Sequence, residues 1–207
     1  MSYESKREEL REAELDLMQH RERVAELRRS LPPGDAVDDY TFIDVESGSN
    51  VKLSELFTGP DRPLILYHYM FGKKQTEPCP MCSMWIDGYN AIAHHVRQRA
   101  DFVILAAATR EQLQEVAKQR GWDNIRMLSA GESTFKKEFA SEADDGEQIE
   151  RVSVFTRHDG VVREQYSSGA ELGPGQRERG IDLLSPVWNL FDLTPQGRGD
   201  WYPSLSY

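Results

Sequence analysis

The chain has 207 residues, so we expect one α/β core with extensions rather than two full domains. A formal net charge of −10 and the lack of a basic stripe argue against nonspecific binding to nucleic acid or to an anionic membrane. No apolar run approaches the roughly 18–20 residues of a membrane span, and residues 1–31 contain no apolar signal-peptide core, so a cytoplasmic protein is expected.

The first predicted element is a helix over residues 4–30, rich in Arg and Glu. The apolar residues that recur every seven positions are Leu10, Leu17, Val24 and Leu31. A stripe with this spacing indicates a helix that packs on its own domain or one that joins two copies of the chain as a homodimer. The Pro-Pro-Gly run at 32–34 ends the helix, because proline lacks the backbone N–H that a helix needs. Residues 1–34 are therefore predicted to form an N-terminal helical arm.

Residues 35–195 alternate short apolar runs with helical patterns. The predicted strands cover 40–44, 64–71, 102–108, 125–128, 152–155 and 161–166. The predicted helices cover 83–99, the stretch between a Thr109 cap and Gly121, 133–139 and 186–193, with a helical turn at 53–57. The run at 102–108 is apolar throughout, which is typical of a parallel strand covered on both faces. The segment at 168–179 is Gly-rich and is interpreted as a polar loop. Within it, residues 169–175 are not interpreted as a phosphate-binding loop, because they lack the Lys-Ser/Thr ending of that motif.

This order of elements predicts an α/β domain of thioredoxin-like fold, with a central mixed β-sheet flanked by helices. Crossover helices between buried strands imply parallel pairing and right-handed connections. The Asp-Gly turn at 159–160 between two β-rich runs indicates a hairpin, which adds antiparallel strands. The tail at 196–207 contains Trp201, Tyr202 and Tyr207, whose rings are expected to hold it against the domain.

Cys79 and Cys82 are the two cysteines of the chain, and they lie where the apolar run at 64–71 leads into a helix. Cys79 is predicted to be the helix N-cap, with Pro80 at the first helical position, where its missing N–H costs nothing. The free N–H groups and the positive end of the helix dipole then favour the Cys79 thiolate. Cys82, one turn further on, is placed to resolve a mixed disulfide formed at Cys79. We predict a catalytic dithiol that needs no cofactor beyond an external thiol or disulfide partner.

Two other interpretations of the cysteine pair are open. A tetrahedral zinc site needs about four ligands. His94 and His95 follow on the helix but point apart, so no metal site is predicted, although zinc shared across a dimer would supply the missing ligands. If the pair is only structural, the chain is instead a thioredoxin-fold binding or assembly module that uses its helical arm and aromatic tail.

Five short motifs are spread over most of the chain. They are Tyr-His-Tyr-Met-Phe-Gly at 67–72, Cys-Pro-Met-Cys-Ser-Met-Trp at 79–85, Asp-Gly at 87–88, Asp-Leu-Thr-Pro-Gln-Gly-Arg-Gly at 192–199 and Trp-Tyr-Pro at 201–203. Together they resemble a bacterial family of thioredoxin-like proteins that carries a domain-of-unknown-function label and is described as predicted dithiol-disulfide oxidoreductases. The resemblance implies a thioredoxin fold and redox activity, and it supplies no substrate.

The sequence departs from thioredoxins, which place a proline just before the hairpin, opposite their cysteines, whereas the matching stretch at 148–151 has none. Peroxiredoxins also lack that proline and use a Pro-x-x-x-Thr-x-x-Cys motif. Here Thr76 precedes Cys79 by three residues, Gly72 stands in place of the proline, and Arg151 is a candidate to face a peroxide-binding thiolate. A peroxide reductase that uses Cys79 is therefore the alternative within the enzyme class.

Residues around the cysteine pair are candidates for a substrate pocket. They are Thr76, Pro80, Met81, Trp85, Tyr69 and Arg151. His68 is interpreted as a hydrogen-bonded structural histidine rather than as a base for Cys79. The lysines at 73–74 are expected to add positive potential near the thiols, and Glu77 to oppose it. The acidic loop at 142–147 is interpreted as a solvated face.

Overall fold

The computed structural model describes residues 2–170 and 180–207. The chain divides into two compact units, Met1–Pro33 and Gly34–Tyr207. Most of the Gly-rich segment predicted to be a polar loop, residues 171–179, lies outside the described residues. Of the helices in the described ranges, none is long and apolar enough to cross a membrane.

The first unit contains helix α1, Tyr3–Arg29, in agreement with the predicted helix. Ser2 is its N-cap, and the Ser2 hydroxyl accepts a hydrogen bond from Ser5 N at 3.2 Å. None of the described residues of α1 is buried. Leu10 and Leu17 of the apolar stripe are 57% and 50% exposed. A homodimer contact through this stripe stays a prediction.

The second unit contains the β-sheet and the remaining helices. Its described strands are β1 Thr41–Asp44, β2 Asn50–Lys52, β3 Leu64–Tyr69, β4 Asp101–Ala106, β5 Arg126–Ser129, β6 Arg151–His158 and β7 Val161–Ser168. Its described helices are α2 Pro80–Val96, α3 Arg110–Arg120, α4 Phe135–Glu138 and α5 Pro186–Phe191, with 3-10 helices at Leu53–Leu56 and Asp182–Leu184. These elements match the predicted ones with shifted boundaries, except for two that were not predicted. They are the 3-10 helix Asp182–Leu184 and β2, which with 3 residues is too short to show a recognisable alternation.

The strands form one seven-stranded sheet in the order β2-β1-β5-β4-β3-β6-β7. Strands β3, β4 and β5 are parallel neighbours, whereas β6 pairs antiparallel with β3 and forms the predicted hairpin with β7. At the other edge β1 pairs antiparallel with both β2 and β5. A mixed sheet flanked by helices confirms the predicted fold class. The pairing of β1 with β5 joins distant segments of the chain, so no local pattern predicts it.

The sheet is covered on both faces and therefore has two hydrophobic cores. All residues of β4 are buried, as expected of a central parallel strand. The first core lies against α2, α3 and α5 and includes both cysteines. The second core lies on the opposite face and includes Leu66 and Phe135. Successive residues of β3 point to different cores, and Tyr67 and Tyr69 lie on the side of the cysteines.

Helix α3 begins and ends where its local signals predict. The Thr109 hydroxyl accepts a hydrogen bond from Gln112 N at 3.3 Å, and the Gln112 side chain accepts one from Thr109 N at 2.9 Å. This is the reciprocal capping box that the sequence indicates. Gly121 follows the last helical residue with φ 67°, in the left-handed region that glycine adopts without strain.

Candidate active site

Helix α2 begins at the cysteine pair, in agreement with the sequence. Cys79 is the N-cap, with φ −64° and ψ 121°, and Pro80 is the first helical residue. The Cys82 backbone N–H donates to Cys79 Sγ at 3.4 Å, so this sulfur takes the place that a capping oxygen fills in other helices. Both cysteines are free thiols, and Cys79 is 8% exposed whereas Cys82 is 1% exposed. The more accessible thiol is the one at the helix terminus.

Hydrogen bonds hold the Cys79 backbone on both sides. Cys79 N donates to Met70 O at 3.1 Å, which ties the start of α2 to the end of β3. Cys79 O accepts from the Ser83 backbone N–H and from the Ser83 hydroxyl, both at 2.9 Å. The Ser83 hydroxyl also shares a hydrogen bond of 2.7 Å with the Tyr69 hydroxyl. Tyr69 therefore helps to position Cys79 through Ser83.

The two thiols differ in acidity. A hydrogen bond from the Cys82 side chain and the backbone N–H groups of Cys82 and Met81 lower the pKa of Cys79 to about 7, against the effects of burial and of the Glu150 charge. Burial and the adjacent Cys79 raise the pKa of Cys82 well above its ordinary value. Glu150 is a carboxylate whose charge opposes this lowering, and the same effect expected of Glu77 stays a prediction. Near neutral pH Cys79 is therefore partly ionised, whereas Cys82 stays protonated.

The lysines at 73–74 are engaged with carboxylates rather than with the thiols. Lys73 Nζ lies 2.6 Å from Glu142 Oε1, and Lys74 Nζ lies 2.8 Å from Asp145 Oδ2. Glu142 is 5% exposed, so the interpretation of residues 142–147 as a solvated face is wrong for this residue. The sequence pattern missed it because an acidic run gives no sign of which carboxylate pairs with a lysine and is buried with it.

A cavity of about 410 Å³ lies beside the two thiols. On the side of the cysteines it is lined by Tyr67, Met70, Cys79, Met81, Cys82 and Trp85. Residues from later in the chain line the other side, and they are Glu150, Ala170, Trp188, Arg198, Gly199, Trp201 and Tyr202. Most of these side chains are apolar or aromatic, so a small molecule in the cavity would lie between aromatic walls and next to Cys79.

The C-terminal segment is held in place by an arginine and a cluster of aromatic rings. Arg198 Nε and Nη2 donate to the Asp192 carboxylate at 3.0 and 2.8 Å. The guanidinium carbon of Arg198 also lies 5.0 Å from the centroid of the Trp188 ring. Trp201 packs edge-on against Trp188 with a centroid distance of 5.7 Å. Trp201 therefore anchors the tail as expected, whereas Tyr207 is 90% exposed.

The predicted pocket residues fall into two groups. Met81 and Trp85 line the cavity, but Thr76, Pro80 and Tyr69 are outside its described lining. Thr76 is exposed in the loop before α2. Pro80 lies in the first turn of α2, between two lining residues, and the Tyr69 hydroxyl is engaged by α2 itself. Sequence proximity to the cysteines does not decide which side chains reach the cavity.

Arg151 also lies away from the thiols. It is the first residue of β6 and pairs directly with His68 of β3. Directly paired residues of antiparallel strands share a face, and His68 alternates with Tyr67 and Tyr69, so Arg151 is on the face opposite the cysteines. Arg151 Nε donates to Ser167 Oγ at 3.0 Å. The expectation that Arg151 faces the Cys79 thiolate is therefore not met.

The cavity walls that sequence reasoning missed come mostly from the C-terminal part of the domain. Glu150 and Trp188 gave no separate signal. Arg198, Trp201 and Tyr202 fall within the C-terminal motifs quoted above. Those motifs were the one sequence signal that could have connected the tail with the cysteines.

The face opposite the cysteines carries buried polar side chains. His68 Nε2 shares a hydrogen bond of 3.2 Å with Ser153 Oγ, and burial lowers the pKa of His68 well below its ordinary value. His68 therefore behaves as the structural histidine expected from the sequence. Lys136 is 1% exposed, and its Nζ makes no hydrogen bond within the described residues. In those ranges no group of three or more His, Cys, Asp and Glu side chains is placed to hold a metal ion.

Gly72, which closes the first motif, allows a close approach of two backbone segments. Its φ is 105°, a value that residues with a side chain rarely adopt. A Cβ at this position would lie 2.2 Å from Ala108 N, two residues after the end of strand β4. Gly72 is thus required by the packing of two backbone segments, at the start of the loop over residues 73–78 that leads to Cys79.

Asp87 of the Asp-Gly motif joins α2 to α3. Its Oδ1 accepts from Trp122 Nε1 at 2.8 Å and from Arg120 Nε at 3.0 Å. Because Trp122 is 4% exposed, we expect Asp87→Ala to lower the free energy of unfolding by about 1–2 kcal/mol through loss of this acceptor. Denaturant unfolding measures the change. Asp87→Asn keeps an acceptor oxygen and should lose less, and an alanine variant as stable as the wild type would contradict the role.

Comparisons with known proteins place the chain in a family and a fold. Residues 1–206 match the family described as "Bacterial protein of unknown function (DUF899)". No curated protein matches the sequence at a significant level.

Solved structures similar to this chain include several peroxiredoxins. Peroxidoxin BcpB from Mycobacterium tuberculosis is 19% identical, with a TM-score of 0.54 and coverage of 67% of this chain and 86% of that one. A cysteine-to-serine mutant of PrxQ from Xylella fastidiosa is 12% identical, with a TM-score of 0.51 and coverage of 76% and 95%. A peroxiredoxin-like protein from Aquifex aeolicus is 10% identical, with a TM-score of 0.52 and coverage of 67% and 76%. At these identities the similarity concerns the fold.

Proposed function

We propose that this chain, which belongs to the DUF899 family of bacterial proteins, is a thiol-disulfide oxidoreductase that uses Cys79 and Cys82. In this proposal Cys79 is the nucleophile and Cys82 the resolving thiol. The observation that carries the proposal is the asymmetry of the two thiols at one helix N-terminus. Cys79 Sγ accepts the Cys82 N–H at 3.4 Å and has a lowered pKa, while the more buried Cys82 has a raised one.

The reaction is an exchange of disulfides in two steps. The Cys79 thiolate attacks one sulfur of a substrate disulfide, an S–S bond forms between Cys79 and that sulfur, and the other substrate sulfur leaves as a thiolate that takes up a proton. Cys82 then loses its proton and attacks Cys79 Sγ, which releases the first substrate sulfur as a second thiol. The substrate gains two electrons, the protein keeps a Cys79–Cys82 disulfide, and an external thiol reduces that disulfide again.

The peroxide reductase alternative has less support. Its motif relies on Thr76 and Arg151, but Thr76 is exposed and Arg151 lies on the other face of the sheet. The similarity to peroxiredoxin structures concerns the fold and not the chemistry. A non-catalytic binding module would need no activated thiol, so the pKa of Cys79 distinguishes it from both enzymes.

The ultraviolet absorbance of thiolate, followed across pH in reduced protein, tests the proposed function. We expect a thiolate transition near pH 7, because the pKa of Cys79 is lowered to about 7. The transition should be lost in Cys79→Ser and kept in Cys82→Ser, whose hydroxyl still donates to the Cys79 sulfur. A first transition at or above about 8.5, the value of a free cysteine, would refute the activated thiol and favour a binding module.

A further inference from the structure

The cavity beside the thiols has the size and lining of a small-molecule site. Its volume of about 410 Å³ falls in the range of pockets that enclose a small organic ligand. Aromatic rings of Trp85, Trp188 and Trp201 and the thioethers of Met70 and Met81 contribute to its walls. Such walls favour a flat or otherwise apolar molecule, because burial of apolar surface is the main contribution they offer.

One of the cavity-lining residues, Trp85, carries a buried polar group without a partner. Trp85 is 3% exposed, and its Nε1 makes no hydrogen bond within the described ranges. The Tyr67 hydroxyl, in contrast, is engaged with the Cys82 thiol, and this hydrogen bond acts to lower the pKa of Cys82. A buried donor left without an acceptor has a cost in free energy. A ligand that brings an acceptor to this wall would recover that cost.

Among the described residues, the charges around the cavity disfavour an anionic ligand. Glu150 lines the cavity, and its charge raises the pKa of Cys79, so it lies close enough to act on the thiol. Arg198 also lines the cavity, but its guanidinium is paired with Asp182 at 2.8 Å and with Asp192 at 2.8 Å. Its positive charge is therefore largely compensated before any ligand arrives.

From these features we propose that the cavity binds an uncharged, aromatic or otherwise apolar small-molecule disulfide, whose acceptor atom is held by Trp85 Nε1. This proposal adds a substrate class to the proposed function, and its exchange step depends on that function. Cys79 attacks one sulfur of the bound disulfide, the two halves leave as thiols in sequence, and the Cys79–Cys82 disulfide that results is reduced by an external thiol.

Binding is tested apart from exchange with 4,4′-dipyridyl sulfide, a neutral aromatic thioether that cannot react with thiols. We expect isothermal titration calorimetry to show binding to the wild-type protein. Trp85→Phe, which keeps a ring and removes the donor, should weaken binding by about tenfold. The matched control is Tyr89→Phe, because the Tyr89 hydroxyl is also buried without a partner but its residue does not line the cavity.

Exchange is tested with 4,4′-dithiodipyridine and, as a bulky substrate, with insulin. Trp85→Phe should lower kcat/KM about tenfold for the pyridyl disulfide and by less for insulin, which is too large to enter the cavity. Three results would overturn the inference. They are no binding of the thioether, equal binding of the thioether by all variants, and binding of the charged glutathione disulfide that is equally tight. The Cys79 pKa is measured separately, so the two proposals can fail independently. A lowered Cys79 pKa without selective ligand binding would overturn only this inference. Selective ligand binding with an ordinary Cys79 pKa would overturn the proposed catalysis.

Discussion

Replacement of Cys79 by serine is expected to abolish disulfide exchange, with a fall of at least about 10³-fold in kcat/KM. The reason is that only a thiolate attacks a disulfide at neutral pH, and the hydroxyl of serine does not ionise there. Cys82, 1% exposed and with a raised pKa, cannot take over the attack. Reduction of a disulfide substrate, followed by release of its thiols, measures the change. A Cys79→Ser variant that turns over at the wild-type rate would falsify the assigned role.

Cys82→Ser is the matched variant, because it keeps the nucleophile and removes the resolving thiol. It should react once with a disulfide and stop at the mixed disulfide on Cys79, which mass spectrometry detects as an adduct. The same variant separates the two enzyme alternatives. Rapid formation of a sulfenic acid on Cys79 with hydrogen peroxide, without adduct formation from disulfides, would favour the peroxide reductase.

Replacement of Lys136 by methionine is expected to stabilise the protein by about 2–4 kcal/mol at pH 7. Lys136 is 1% exposed, and its Nζ makes no hydrogen bond within the described ranges. Burial lowers the pKa of Lys136 to about 7, with Cys82 and Glu142 opposing the shift and Lys73 adding to it. Glu142 is already paired with Lys73 at 2.6 Å, so little of its charge is left for Lys136. Methionine has a similar length and no charge to desolvate.

The pH dependence of this effect has a definite sign. Below about pH 7 Lys136 is protonated in both the folded and the unfolded chain, and the folded state carries the whole cost of the buried charge. As the pH rises from 7 towards 10.5, the ordinary value, the folded chain binds fewer protons, so wild-type stability rises relative to the variant. The advantage of Lys136→Met should therefore be largest at or below pH 7 and shrink above it.

Denaturant unfolding at several pH values measures this difference, and subtraction of the two proteins cancels the titration of groups that both contain and that do not interact with Lys136. Lys137→Met is the control, because Lys137 is the next residue and is exposed. Its effect should stay within about 0.5 kcal/mol. A Lys136→Met variant less stable than the wild type would mean that the ammonium group is well solvated or paired in the folded protein.

Much of this protein follows from its sequence, because the determining interactions are local. The start of α2 depends on Cys79 and Pro80 and on N–H groups within one turn. The limits of α3 depend on the Thr109–Gln112 capping box and on Gly121. The hairpin depends on the Asp-Gly turn between β6 and β7. Each signal involves residues close in sequence, so pattern and propensity were sufficient to predict these elements and, with their order, the fold class.

Only the tertiary structure decided which side chains meet the thiols. Arg151 faces away from Cys79, because strand pairing places it opposite His68 and neighbouring residues of a strand alternate between faces. The far wall of the cavity is formed by Glu150, Trp188 and residues of the C-terminal tail. Contacts of this kind depend on strand register and on the docking of segments distant in sequence, and no spacing within either segment encodes them.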